Sequence, residues 1–243
     1  MLDMLDDVPT LAAWAVAGAL LLWLLWRFLR YCEAQTLADW GGPWRNRLAG
    51  LNVLFCRHYH HLRADPLPLP ATGAMVVAAN HLSGLDPLIM IAASPRPLRF
   101  LIAREEYQRF GFTWLFRLAG CIPVDRQHRP ARALREALRA LQAGDVVALF
   151  PHGHIHLDTA PPQRLKGGAV YLAQQAGCPI LPLRVGGMRC QGHILAAVFV
   201  PSRAWVRAQP VLDCRGLSRD DCLQGLADAI QGGSEMVSQV FDS

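Results

Sequence analysis

From Val8 to Trp26 the chain reads VPTLAAWAVAGALLLWLLW, nineteen residues without a charge. As a helix this run is about 28 Å long, against a bilayer hydrocarbon core of about 30 Å. So apolar a segment is at odds with the surface of a water-soluble domain, and it constrains the whole chain. Trp23 and Trp26 stand where an interfacial aromatic belt begins. Asp3, Asp6 and Asp7 flank the run on one side, and Arg27 and Arg30 on the other. A secretory signal needs a basic start and a small-residue cleavage site; this run has an acidic start and a tryptophan-rich exit. The expectation is a single uncleaved transmembrane anchor over residues 1–30. The arginine excess places the following domain on the cytoplasmic side. The other reading is a core helix at the N-terminus.

Residues 31–70 form an expected linking region. Trp44, Leu48, Leu51 and Phe55 fall on one helical face, with Arg45, Arg47 and Arg57 elsewhere. Such a helix fits a membrane interface or the flank of a domain. The HYHH stretch at 58–61 has no cysteine or carboxylate at ligand spacing and reads as surface or interfacial. Hydrophobic residues make up 52% of the chain and charged residues 18%, which excludes a disordered protein. The net charge of +5 suits anionic membranes or phosphate-bearing substrates, and no nucleic-acid motif accompanies it. Seven irregularly spaced cysteines, without a CxxC, read as reduced thiols.

Beyond the proline-rich break DPLPLPATG, short apolar runs alternate with helix-length segments over 71–243. Strands are expected at 74–80, 98–103, 121–125, 145–150, 179–185, about 194–200 and 203–208. Helices are expected at 85–93, from 104 through about 118, at 130–144, 167–177 and from about 219. The alternation predicts an α/β fold, a mostly parallel central sheet flanked by helices.

In such sheets, sites form beyond the carboxyl ends of strands. The first strand runs into NHLSGLD, with His81 directly after it and Asp86 five residues later across a glycine-containing turn. A carboxylate holding one imidazole nitrogen leaves the other free as a general base. A capping aspartate beside a structural histidine is the bland alternative. GCIPVDR places Arg126 after a later strand as an anion partner. In LKGGAVYLA, Lys166, the only lysine of the chain, and two glycines precede a helix, a further arrangement suited to anions.

NHLSGLDPL, GCIPVDR, FPHG, KGGAVYLA and PILPLRV follow one another in this order between about Met75 and Val185. Together they resemble the membrane-bound glycerolipid acyltransferases of the lysophosphatidic-acid acyltransferase family, which carry an NHxxxxD motif. The resemblance implies O-acyl transfer from an acyl-CoA or acyl carrier protein thioester to the hydroxyl of a lysophospholipid, first of all 1-acylglycerol 3-phosphate. It implies membrane lipids as partners and neither metal nor cofactor. His81 would be the base and Asp86 its orienting partner. Arg126 would meet the acceptor phosphate, Lys166 that phosphate or the donor, and Arg104 matches a basic position of the family.

One block departs from the family. Where the family reads FPEGTRS, this chain reads FPHGHIH. Pro151 and Gly153 match, His152 takes the acidic position and Ile155 the arginine position. The resemblance therefore makes His152 and Gly153 acceptor-side residues and opens the acceptor to other lysophospholipids or lyso-aminolipids. Taken alone, the HxHxH of His152, His154 and His156 also fits a metal-dependent hydrolase. A catalytically silent lipid-binding protein on the same fold is the third reading.

Overall fold

The computed structural model describes residues 7–108, 111, 113–125, 130–161 and 163–231. Strands β1 (Met75–Ala79), β2 (Leu98–Ala103), β3 (Ile122–Val124), β4 (Val146–Leu149) and β5 (Ile180–Gly186) run parallel. β6 (Trp205–Ala208) pairs antiparallel with β5, and the sheet order is β3-β2-β4-β1-β5-β6. Every residue of β1, β4 and β5 is buried. That is why their sequences run apolar without alternation: an interior parallel strand loses both faces to the layers that cover it.

Side chains alternate between two cores. Val77, Ala79, Leu181, Leu183 and Val185 pack with α3 (Asp86–Ala93) and with Val53 of α2 (Pro43–Leu54). Val76, Ala78, Val147 and Ile180 pack under α6 (Pro130–Gln142), α7 (Gly168–Ala176) and α9 (Arg219–Gln231). On α6 it is Ala133, Ala137, Ala140 and Leu141 that are buried, while Arg132, Arg135 and Arg139 face solvent. The small alanines let the helix lie close on the sheet.

The apolar run forms the first part of α1 (Asp7–Gln35), one helix long and apolar enough to cross a membrane. Its tryptophans 14, 23 and 26 are 75%, 51% and 56% exposed, so no protein core covers them. Only the end of α1 is packed. There Gly50 of α2 lies so close to Cys32 that a Cβ would run into the Cys32 carbonyl, and Glu33 meets Arg47 at 3.4 Å.

Four expectations are corrected. Residues 194–200 do not form a strand; they hold a short helix, α8 (Ala196–Phe199). Gly192 donates to the Leu82 carbonyl and Gly84 to that of His193, which ties this segment over the loop after β1 and leaves β6 to pair with β5. The helix expected from 104 is two short ones, α4 (Arg104–Tyr107) and α5 (Thr113–Leu118), with Gly111 between them at φ 84°. His60 of HYHH is buried: Ser202 Oγ lies 2.8 Å from its Nδ1, and its Nε2 donates to the Val198 carbonyl. Cys214 and Cys222 are joined in a disulfide, because the turn after β6 brings their Cα atoms to 5.5 Å; the other five cysteines are free.

The Gly50–Cys32 contact is the seam between α1 and the domain. Gly50→Val, in a Cys190→Ser background that removes the exposed thiol, is expected to raise maleimide labelling of Cys32 at least about tenfold by opening that seam. Mass spectrometry locates the label; an unchanged rate would contradict the packing.

Candidate active site

The chain leaves β1 through Asn80, a buried residue whose side chain continues the pairing after the strand has ended. Its Nδ2 donates to the Val185 carbonyl at 2.9 Å, and its Oδ1 accepts from Val185 N at 2.8 Å. His81 follows, at the rim of the sheet. Its Nδ1 is 2.8 Å from Asp86 Oδ2. The same oxygen accepts from Leu82 N at 2.6 Å and Ser83 N at 3.0 Å, and Oδ1 accepts from Ser83 Oγ at 2.8 Å. Asp86 is fully buried and opens α3, where the helix dipole favours a negative charge. The carboxylate takes the Nδ1 proton's hydrogen bond, so the Nε2 lone pair is left free. The His81 side chain is 19% exposed and keeps that nitrogen within reach of a substrate. Its ring stacks on Phe150 at 4.0 Å and 12°. Holding ring and tautomer in this way is what a general base needs.

The turn after β4 is hydrogen-bonded to the same residue: His156 N donates to the His81 carbonyl at 2.7 Å. Gly153 turns the chain at φ 76°, and a Cβ there would meet the Lys166 side chain. Lys166 N donates to the Pro151 carbonyl at 2.9 Å, which sets this lysine beside the turn. His81, Asp86, His152, Gly153 and Lys166 thus gather at the carboxyl ends of two adjacent strands. Arg104 stands at the same rim after β2 and pairs with Asp125 at 3.2 Å. Arg126 lies outside the described residues.

The three histidines of the turn do not converge. His152 and His156 stack face to face at 4.6 Å, and His154 stands perpendicular to His156 at 6.2 Å. Stacked rings direct their nitrogens side by side rather than toward a shared ion. Among the described residues no group of three or more histidines, cysteines or carboxylates is placed to hold a metal.

Residues 62–186 match the Acyltransferase family. The chain belongs to this family. It is 30% identical to the 1-acyl-sn-glycerol-3-phosphate acyltransferase of Streptococcus pneumoniae, over 68% of this chain and 63% of that protein. It is 32% identical to the 1-acyl-sn-glycerol-3-phosphate acyltransferase alpha of Mus musculus, over 67% of this chain and 58% of that protein. The chain therefore spans about three fifths of the length of these relatives. The fold is shared with the crystal structure of the 1-acyl-sn-glycerophosphate (LPA) acyltransferase PlsC from Thermotoga maritima. The TM-score is 0.65 at 20% identity, over 80% of this chain and 81% of that one.

In this member of the Acyltransferase family, sequence reasoning passed over three residues that shape the site and one buried charge paired with the segment after the histidines. Asn80 and Ser83 were in view within NHLSGLD, but their bonds to Val185 and Asp86 depend on the folded turn. Phe150 was legible as a strand end and as part of FPHG, but its stacking on His81 depends on the fold. Arg184 had a signal: it is the one charge in the buried run ILPLRVG.

His152 is 2% exposed. Burial pushes its imidazole down to about 4, and the rings of His156, His154 and His81 add to the effect. A histidine titrates near 6.5 in the unfolded chain, so the folded state binds fewer protons between these values. The stability it contributes is present above about pH 6.5 and is lost as the pH falls toward 4, by up to about 3 kcal/mol. Urea unfolding at pH 7.5 and 4.5 is expected to show a smaller acid loss in His152→Gln than in the wild type. Equal losses in the two proteins would contradict the burial of a neutral ring.

Proposed function

We propose that this protein is a membrane-anchored O-acyltransferase that moves a fatty acyl group from an acyl-CoA or acyl carrier protein thioester to the free hydroxyl of 1-acylglycerol 3-phosphate. The observation that carries this reading is the His81 Nδ1–Asp86 contact of 2.8 Å, which leaves Nε2 free at the sheet rim. Nε2 accepts the hydroxyl proton as the acceptor oxygen attacks the thioester carbonyl. The tetrahedral intermediate collapses to the ester, and the departing thiolate takes the proton back from the imidazolium. No acyl-enzyme is formed. Asp86 holds the ring through both transfers and offsets the transient positive charge. The names of the relatives support 1-acylglycerol 3-phosphate as the acceptor. His152, in the turn beside the base, favours testing other lysophospholipids in the same panel.

Arg126, Lys166 and Arg104 are proposed as cationic partners of the substrate phosphates. Residues 1–30 are proposed as the anchor, 31–70 as the interfacial link and 71–243 as the acyltransferase domain. The exposed apolar surface of α1 supports the anchor. The flanking charges support a cytoplasmic domain: arginines 27 and 30 lie on the domain side and aspartates 3, 6 and 7 on the other.

The test is acyl transfer by the purified protein in detergent micelles, with acyl-CoA and acyl carrier protein donors and a panel of lysolipids. His81→Ala is expected to lower kcat by about 10²–10⁴, the range of a general base, while thermal unfolding stays near wild type. Asp86→Ala should also unfold more easily, by about 3–5 kcal/mol, because it strands buried donors. Full activity in His81→Ala would sink the assignment.

A further inference from the structure

Three buried side-chain polar atoms lack a hydrogen-bond partner among the described residues: His152 Nδ1, Arg184 Nε and Arg184 Nη1. The two arginine nitrogens are always donors. The character of the third follows from its neighbour. Gln231 Nε2 donates to the Gln163 carbonyl at 3.2 Å and lies 3.1 Å from His152 Nε2. An amide nitrogen only donates, so Nε2 of His152 accepts and its proton sits on Nδ1. All three orphans are therefore N–H groups, and a folded protein leaves few of these without a reason.

They also share a location. Ala78 is level with Leu149 on one side and with Pro182 on the other. Arg184 lies two residues beyond Pro182 on β5, and the segment that follows β4 carries both His152 and Asp158. Arg184 alternates with Leu183 and Val185, so it points to the Ile180 face, which α9 covers. His152 contacts Gln231 of that same helix. Among the described residues the one ion-pair partner of Arg184 is Asp158, from the segment that follows the histidines, at 3.9 Å from Nη2. That is beyond hydrogen-bond length. Arg184 is 7% exposed and so carries a buried charge that the described residues meet only partly.

We propose that Arg184 and His152 are a specificity-determining pair that binds the anionic headgroup of the lysolipid acceptor, a phosphate oxyanion. Nε and Nη1 of the guanidinium and Nδ1–H of the imidazole supply three donors to its oxygens, in a turn tied by His156 N to the base His81. Asp158 occupies the guanidinium when the acceptor is absent and yields it when the phosphate arrives. The assignment rests on the acyltransferase reading for the identity of the acceptor, and the binding measurement below is independent of turnover.

The experiment uses the full chain in nonionic micelles, with lysophosphatidic acid and with a monoacylglycerol that lacks the phosphate. Arg184→Met is expected to raise KM for lysophosphatidic acid about ten- to a hundredfold, the range for a lost hydrogen bond to a charged group. It leaves KM for the thioester donor and for the monoacylglycerol within about twofold. Asp158→Asn, which removes the competing carboxylate, lowers KM for lysophosphatidic acid. A purely structural Arg184–Asp158 pair would instead make the two variants change alike, and that result overturns the proposal. So does a rise confined to the donor KM, which would place a donor phosphate at the site. Thermal unfolding gives the second readout: lysophosphatidic acid raises the Tm of the wild type and not that of Arg184→Met. Equal stabilisation of both overturns the pair even where transfer is intact. Stabilisation of the wild type alone, without transfer by any protein, upholds the pair and rejects the acyltransferase reading.

Discussion

The carboxylate of Asp86 is the point on which the site is built. One buried group accepts from the imidazole of His81, from two consecutive backbone amides and from the Ser83 hydroxyl. A buried charge is tolerable only when its lone pairs are taken up, and here the turn NHLSGLD wraps around the carboxylate to do so. The same bonds set the turn, begin α3 and fix the imidazole. Removing the carboxylate would disturb fold and chemistry together, whereas removing the imidazole leaves the turn's own bonds in place.

The sheet gives that turn its neighbours. The order β3-β2-β4-β1-β5-β6 puts β1 in the interior, so the residues following β4 and those ending β5 flank His81 on either side. Phe150 supplies an apolar bed for the ring, and His156 clamps its backbone. Asn80 extends the pairing of β1 with β5 one residue past the strand and carries the rim outward. Parallel strands with short carboxyl-end turns thus gather residues from distant parts of the sequence along one edge.

Much of this was legible in the sequence because it rests on local pattern. All six strands and the helices 86–93, 130–142, 168–176 and 219–231 follow apolar runs, turn glycines and helical periodicity. The spacing of His81 and Asp86 pointed to a pair, and the pair is formed. What was not legible depends on contacts between distant segments. Residues 194–200 have the composition of a strand, yet their backbone is held by the loop after β1. His60 looks like a surface imidazole, and only the return of Val198 and Ser202 makes it a buried one. The HxHxH turn had the spacing of a chelate, but His152 and His156 stack face to face and His154 stands perpendicular to His156, so the rings converge on no shared point. The charge of Arg184 stood out within an apolar strand, while its missing partners emerge only from the packed structure.

The central claim is that Asp86 fixes His81 in the form with Nδ1 protonated and Nε2 unprotonated. Nitrogen NMR of protein labelled at its histidine rings, assigned by comparison with His81→Ala, reads this form directly. For the neutral ring the account predicts a protonated Nδ1 and a pyridine-type Nε2 for His81, both altered by Asp86→Asn. A protonated Nε2 in the wild type, or a spectrum indifferent to Asp86→Asn, would contradict it.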